Sequence, residues 1–115
     1  MSGGANPYRK GSAFERQVAA YLRELGCLVT RNTGSKGDPL AAAFDLVAIV
    51  RRNGDQSGPG LLIPGVSLIE CKLNGRFYPG PRKKLIETAQ KYGVMAVLAK
   101  RGKKRGTIEF VQLEP

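Results

Sequence analysis

The chain has 115 residues, 42% of them hydrophobic, and a formal net charge of +10. That length makes one domain with a core large enough to need no disulfide staples, and the charge points to a polyanionic partner, nucleic acid ahead of an anionic membrane surface. With no histidine present, Ser-His and Cys-His nucleophiles and the usual structural zinc site are excluded, and any metal must be a hard cation held by oxygen.

No apolar run approaches the roughly 20 residues of a membrane span, and no signal-peptide pattern opens the chain. The expectation is a soluble, intracellular, cytoplasmic protein. The charge is unevenly spread: between Arg76 and Lys104 lie Arg82, Lys83, Lys84, Lys91, Lys100, Arg101 and Lys103 against one acid, Glu87. The plain alternative is a solvated basic face with no ligand. Cys27 and Cys71, the only cysteines, both fall in expected strands and read as small core residues rather than a bridge or metal pair.

Residues 1–10 carry Gly3, Gly4, Asn6 and Pro7 without periodicity and read as a flexible arm from which Arg9 and Lys10 can touch phosphate. Residues 11–115 form the folded domain. Ser12-Ala13-Phe14-Glu15 has the spacing of a capping box, and Phe14, Val18, Tyr21, Leu22 and Leu25 follow at helical spacing until Gly26, predicting a helix over residues 13–25. Glu15 has two compatible readings: a cap residue, or a carboxylate beside the apolar stripe that looks across at a sheet edge.

Residues 27–31 read as a short strand, and residues 32–40 as a loop in which Ser35 and Lys36 sit between Gly34 and Gly37, an ordinary turn or a backbone able to approach a phosphate. Phe44 to Val50 reads as a hydrophobic strand whose only charge, Asp45, stands at its entering end. Residues 51–64, rich in Gly and Pro, read as a hairpin connection. The next strand, residues 67–73, is antiparallel to the Asp45 strand because the link is too short for a buried crossover helix. Side chains alternate along it, so Glu70 and Lys72 share one face while Ile69, Cys71 and Leu73 point into the opposite layer.

Residues 74–80 interleave Arg76 with Phe77 and Tyr78, which suits phosphate contact and base stacking and equally suits packing of the rings. Gly80-Pro81 opens a second helix with Pro81 at its first position, Leu85, Ile86, Ala89 and Tyr92 inward, and Gly93 as the stop. Arg82, Lys83 and Lys84 occupy its first turn, where the helix dipole disfavours cations, so an anion is expected to meet them. Residues 94–99 read as an apolar strand, plausibly parallel to the preceding one, residues 100–106 as a basic turn containing Lys103 and Lys104, and residues 107–113 as a closing strand. The order is α-β-β-β-α-β-β: an α/β fold with a central mixed five-stranded sheet flanked by helices.

Two carboxylates converging at one sheet edge, Asp45 and Glu70, repel unless a cation lies between them. Mg²⁺ suits such a pair together with waters, phosphate oxygens and the backbone carbonyl of Cys71, and Mn²⁺ is an expected substitute. A metal there lowers the pKa of bound water, and Lys72 on the same face can steer that water or neutralise the transition state, so phosphodiester hydrolysis is the chemistry the spacing allows. An ion pair between Glu70 and Lys72 is the alternative, a costly one in a buried strand.

Arg9-Lys10-Gly11-Ser12-Ala13-Phe14-Glu15, Gly34-Ser35, Phe44-Asp45-Leu46-Val47 and Ile69-Glu70-Cys71-Lys72 together resemble the archaeal-type Holliday junction resolvases of the PD-(D/E)XK nuclease superfamily. The resemblance spans roughly residues 9 to 113 and implies a single restriction-endonuclease-like domain. It further implies that Asp45 and Glu70 ligate the metal, that Lys72 assists the water, and that Glu15 supports the metal site. Ser35 would lie on a catalytic loop, and Gln90 matches a polar position near such sites. The family works as homodimers on four-way DNA junctions in recombination and repair, which implies nucleoid association. The link at residues 51–64 departs from the tight hairpin expected. Other readings are a repair or restriction-type nuclease on the same fold and a DNA-binding module without catalysis.

Overall fold

The protein was analysed as a computed structural model, which describes residues 7–32, 44–50 and 65–115, with side chains from Ser12 onward in the first helix. Helix α1 spans Pro7–Glu24, strand β1 Leu28–Arg31, β2 Leu46–Val50 and β3 Gly65–Cys71. Helix α2 spans Pro79–Tyr92, followed by β4 Met95–Arg101 and β5 Ile108–Leu113. The strands form one sheet in the order β1-β2-β3-β4-β5, antiparallel except for the parallel β3–β4 pair. The expected element order and mixed sheet are both observed.

Alternation along the strands sorts apolar side chains into two layers. On one face Ile69 and Cys71 of β3, Val97 and Ala99 of β4 and Phe110 of β5 pack with Phe14, Val18 and Leu22 of α1. On the other, Leu68, Leu98 and Leu113 pack with Leu85, Ile86 and Ala89 of α2. Both cysteines are free, Cys71 buried and Cys27 half-buried, as expected of core thiols, and burial pushes both thiol pKa values up.

Two helix starts differ from the expectation. Helix α1 begins at Pro7, so Pro7–Lys10 of the expected arm are helical. Proline is favoured at a first helical position, and Gly11 costs a helix interior only about 1 kcal/mol. Ser12 and Glu15 therefore lie inside the helix and form no capping box. Helix α2 begins at Pro79 rather than Pro81, with Tyr78 as the N-cap. Its C-terminus is as expected: Gly93 adopts φ 66° and its N–H is donated to the Ala89 and Gln90 carbonyls. Tyr92, expected inward, is 57% exposed. It is the helix's last residue, and Lys91 Nζ lies 5.7 Å from its ring centroid.

Candidate active site

Strands β2 and β3 pair backbone to backbone from Val50↔Gly65 to Leu46↔Ile69. Beyond that point the Asp45 N–H still donates to the Ile69 carbonyl at 2.9 Å, but the Cys71 N–H donates to Asp45 Oδ2 at 2.8 Å. A carboxylate thus replaces a ladder carbonyl where the two strands part. The Asp45 carbonyl in turn accepts the Asn32 N–H at 2.8 Å, and Asn32 Nδ2 donates to the Phe44 carbonyl at 3.0 Å, so the residue is fixed from both neighbouring strands.

Glu70 follows Ile69 and projects to the opposite face, with the α2 side of the sheet. It is 9% exposed. Burial first, then a hydrogen bond that protonated Glu70 donates to the Asp45 carboxylate, and the Asp45 charge, push the Glu70 pKa from 4.5 up to about 9, against an opposing pull from Lys72. Glu70 therefore keeps its proton at neutral pH while no cation lies beside it. Lys72 lies just past the end of β3, and its N–H donates to the Ala99 carbonyl at 2.9 Å.

Glu15 approaches the same region from α1. Its Oε1 pairs with Arg31 Nη2 at 3.4 Å, and the same nitrogen donates to Ser12 Oγ at 3.3 Å. Three-residue spacing puts Ser12 and Glu15 on one helical face, so the pattern that reads as a cap instead grips one guanidinium. Burial and the Asp45 charge raise the Glu15 pKa, offset by Arg31 and Lys72. Glu15 is thus within electrostatic reach of the carboxyl pair while engaged by Arg31. Among the described residues no three His, Cys, Asp or Glu side chains close on one point.

The sheet topology places the cations. β3 ends at Cys71, opposite Ala99 of β4, so the loop after it, the start of α2 and the β4–β5 turn all lie at the end of the sheet that carries Glu70. Arg76, Arg82, Lys83, Lys84, Lys103 and Lys104 are all exposed there. Phe77 packs against the α2 layer, whereas Tyr78 is 69% exposed. Gln90 is not brought to the carboxyls: it stands 11 residues beyond Pro79, about 16 Å along the helix, towards the start of β4. Ser35 and Lys36, and the side chains of Arg9 and Lys10, lie outside the described residues, as does the link at residues 51–64.

Arg31 and Asn32 are the site residues that sequence reasoning missed. Period-two alternation gives a signal for Arg31, since it shares the α1 face with buried Val29; a charge at a strand end on a core-facing position calls for a partner.

The donor set fits a hard divalent cation: two carboxyls held together at the price of a raised pKa are the arrangement a metal ion relieves. Residues 6–55 match the family model described as archaeal Holliday junction resolvase (Hjc). That match spans Glu15 and Asp45 and stops before Glu70. The fold is similar to the solved structure of Hjc, a Holliday junction resolvase from the archaeal hyperthermophile Archaeoglobus fulgidus, with a TM-score of 0.63 and 22% identity, covering 89% of this chain and 76% of that one. No curated protein sequence matches the chain. The resemblance read from the motifs is borne out over residues 6–55, and the fold it implies is shared with that solved structure.

Proposed function

We propose that this chain, matched over residues 6–55 by the archaeal Holliday junction resolvase model, is itself a Holliday junction resolvase: a metal-dependent endodeoxyribonuclease that cuts opposing strands of four-way DNA junctions. The observation that carries the chemistry is the Asp45–Glu70 carboxyl pair beside Lys72 where β2 and β3 part. The family match and the shared fold support the substrate.

Asp45, Glu70 and the Cys71 backbone carbonyl would hold Mg²⁺, with Mn²⁺ as a substitute. When bound, the ion would activate a water and withdraw charge from a phosphoryl oxygen. The Cys71 N–H fixes Asp45 Oδ2, so this carboxylate is oriented before any ligand arrives. Lys72 steers the attacking water or neutralises charge developing on the phosphate. Glu15, braced by Arg31, supports the carboxyl pair from the helix side. Ser35 is proposed as a further catalytic residue.

The exposed cations Arg76, Arg82, Lys83, Lys84, Lys103 and Lys104, with Arg9, Lys10 and Lys36, supply phosphate contacts around the site. No helix among the described residues is long and apolar enough to cross a membrane. Two cuts across a four-way junction require two sites, so the working unit is a homodimer. Val94 and Val111, half-buried beside the α2 layer, are the candidate contact.

The test is a labelled four-way junction and its matched duplex incubated in Mg²⁺ with wild type and Asp45→Asn. Paired symmetric nicks in the junction alone, lost in Asp45→Asn while binding survives, are expected. Binding without cutting by either protein would leave a DNA-binding module.

A further inference from the structure

A cavity of about 600 Å³ lies between α1 and the β4–β5 turn, lined by Phe14, Gln17, Leu73, Arg101, Lys103 and Arg105. It falls in the size range of ligand pockets, roughly 300–1,000 Å³. Its cationic wall comes from one short turn whose frame is rigid. The Gly102 N–H donates to the Thr107 carbonyl at 2.8 Å and the Thr107 N–H to the Lys104 carbonyl at 3.1 Å, while Thr107 Oγ1 donates to the Lys104 carbonyl at 2.6 Å. A Cβ on Gly102 would run into the Thr107 hydroxyl, and Gly106 sits at φ 81°, so both positions need glycine.

Among the described residues none of Arg101, Lys103 and Arg105 meets a carboxylate, the ion pair present being that of Arg31 with Glu15. Glu109 is paired across the strands with Lys100 and alternates to the face opposite buried Phe110, away from α1. Glu15, next to Phe14, is engaged by Arg31. Three cations round an acid-free cavity attract an anion.

The cavity's walls continue from the catalytic residues, since Phe14 precedes Glu15 and Leu73 follows Lys72. Yet it opens on the α1 side, where Leu73 packs, whereas Glu70 projects to the α2 side. An anion in the cavity is therefore not the one at the carboxyl pair. We infer that the Arg101, Lys103 and Arg105 cavity binds a non-scissile backbone phosphate of the strand being cut, setting the register in which the scissile phosphate meets Asp45 and Glu70. This rests on the nuclease reading above. Phosphate contacts fix register without reading sequence, as an enzyme selecting junction shape requires.

The test uses four-way junctions carrying a single neutral methylphosphonate at each position near the cut, with wild type, Lys103→Ala/Arg105→Ala and, as a charge-matched control on α2, Arg82→Ala/Lys83→Ala. All four side chains are exposed, so the variants keep the fold. Wild type and the α2 control are expected to bind more weakly when one flanking phosphate is neutral, and Lys103→Ala/Arg105→Ala to be indifferent there. The slope of log Kd against log salt should also fall by about one for the lost contact. A turn variant that keeps the wild-type sensitivity, or a wild type sensitive at no flanking position, overturns the inference. A wild type that shows the pattern without cutting keeps the phosphate site and breaks the nuclease reading; one that binds no junction breaks both.

Discussion

At one end of the sheet Val50 pairs with Gly65, Ser67 with Met95 and Ala96 with Leu113, and Val50, Met95 and Leu113 sink into the helical layers. At the other end the same strands carry Arg31, Glu70 and Arg101, with Asp45 and Lys72 just beyond the ends of β2 and β3, and a side-chain carboxylate replaces a ladder acceptor. The apolar end minimises free energy. The polar end holds a buried glutamate whose charged form is disfavoured, a burden a fold keeps where it has chemistry to do. Substitutions at the two ends should therefore have opposite signatures, one losing stability and the other activity.

The largest expected effect is at the polar end. Asp45→Asn keeps an oxygen that can accept the Cys71 N–H, so the melting temperature should stay close to wild type. Cleavage of a four-way junction should fall by at least about 100-fold, the scale of removing one preorganised charge-stabilising group. Single-turnover cleavage alongside thermal melting checks both halves, and a variant that melts early without losing cleavage would erase the contrast.

The mirror image is Leu113→Ala. Leu113 is 6% exposed within the α2 layer, and truncating a buried leucine costs about 2–5 kcal/mol. Urea denaturation should show that loss, while the cleavage rate of the remaining folded protein should be unchanged. A drop in rate would mean that the two ends are coupled.

Much of this division was legible in the residues. Gly93 marked the end of α2, and alternation alone separated Glu70 from Cys71 and sent them to opposite layers. The start of α1 was not legible, because Ser and Glu three apart describe a cap and a shared helical face equally well. The choice depended on Arg31, 16 residues beyond Glu15. The Asp45 contact to the Cys71 N–H spans 26 residues and has no local signature either. Tyr92 satisfied the helical period, but period says nothing about where the sheet beneath the helix ends.

A subtler effect separates the ends by pH. Folding pushes the Glu70 pKa from 4.5 up to about 9, chiefly by burial, so between those values the folded metal-free protein binds more protons than the unfolded chain. Stability then falls as pH rises, its Glu70 contribution intact below 4.5 and lost by about 9. Melts in chelator should show a lower Tm at pH 8 than at pH 5, and Glu70→Gln should flatten that slope. A slope unchanged in the variant would place the titration elsewhere.

The smallest expected effect is the most discriminating for the sheet's polarity. β3 leaves the carboxyl end at Cys71, and β4 re-enters the sheet at Met95 beside Ser67, so α2 must traverse the sheet and carry Gln90 away from the pair. Gln90 is exposed and lines a shallow hollow with Arg82, Ile86 and Glu114. Surface substitutions of this kind stay within about 0.5 kcal/mol. Gln90→Ala should match wild type in Tm, junction affinity and single-turnover cleavage. A tenfold loss of cleavage at unchanged affinity would show that Gln90 reaches the carboxyl pair in the DNA complex, and would require α2 to shift along the sheet when the junction binds.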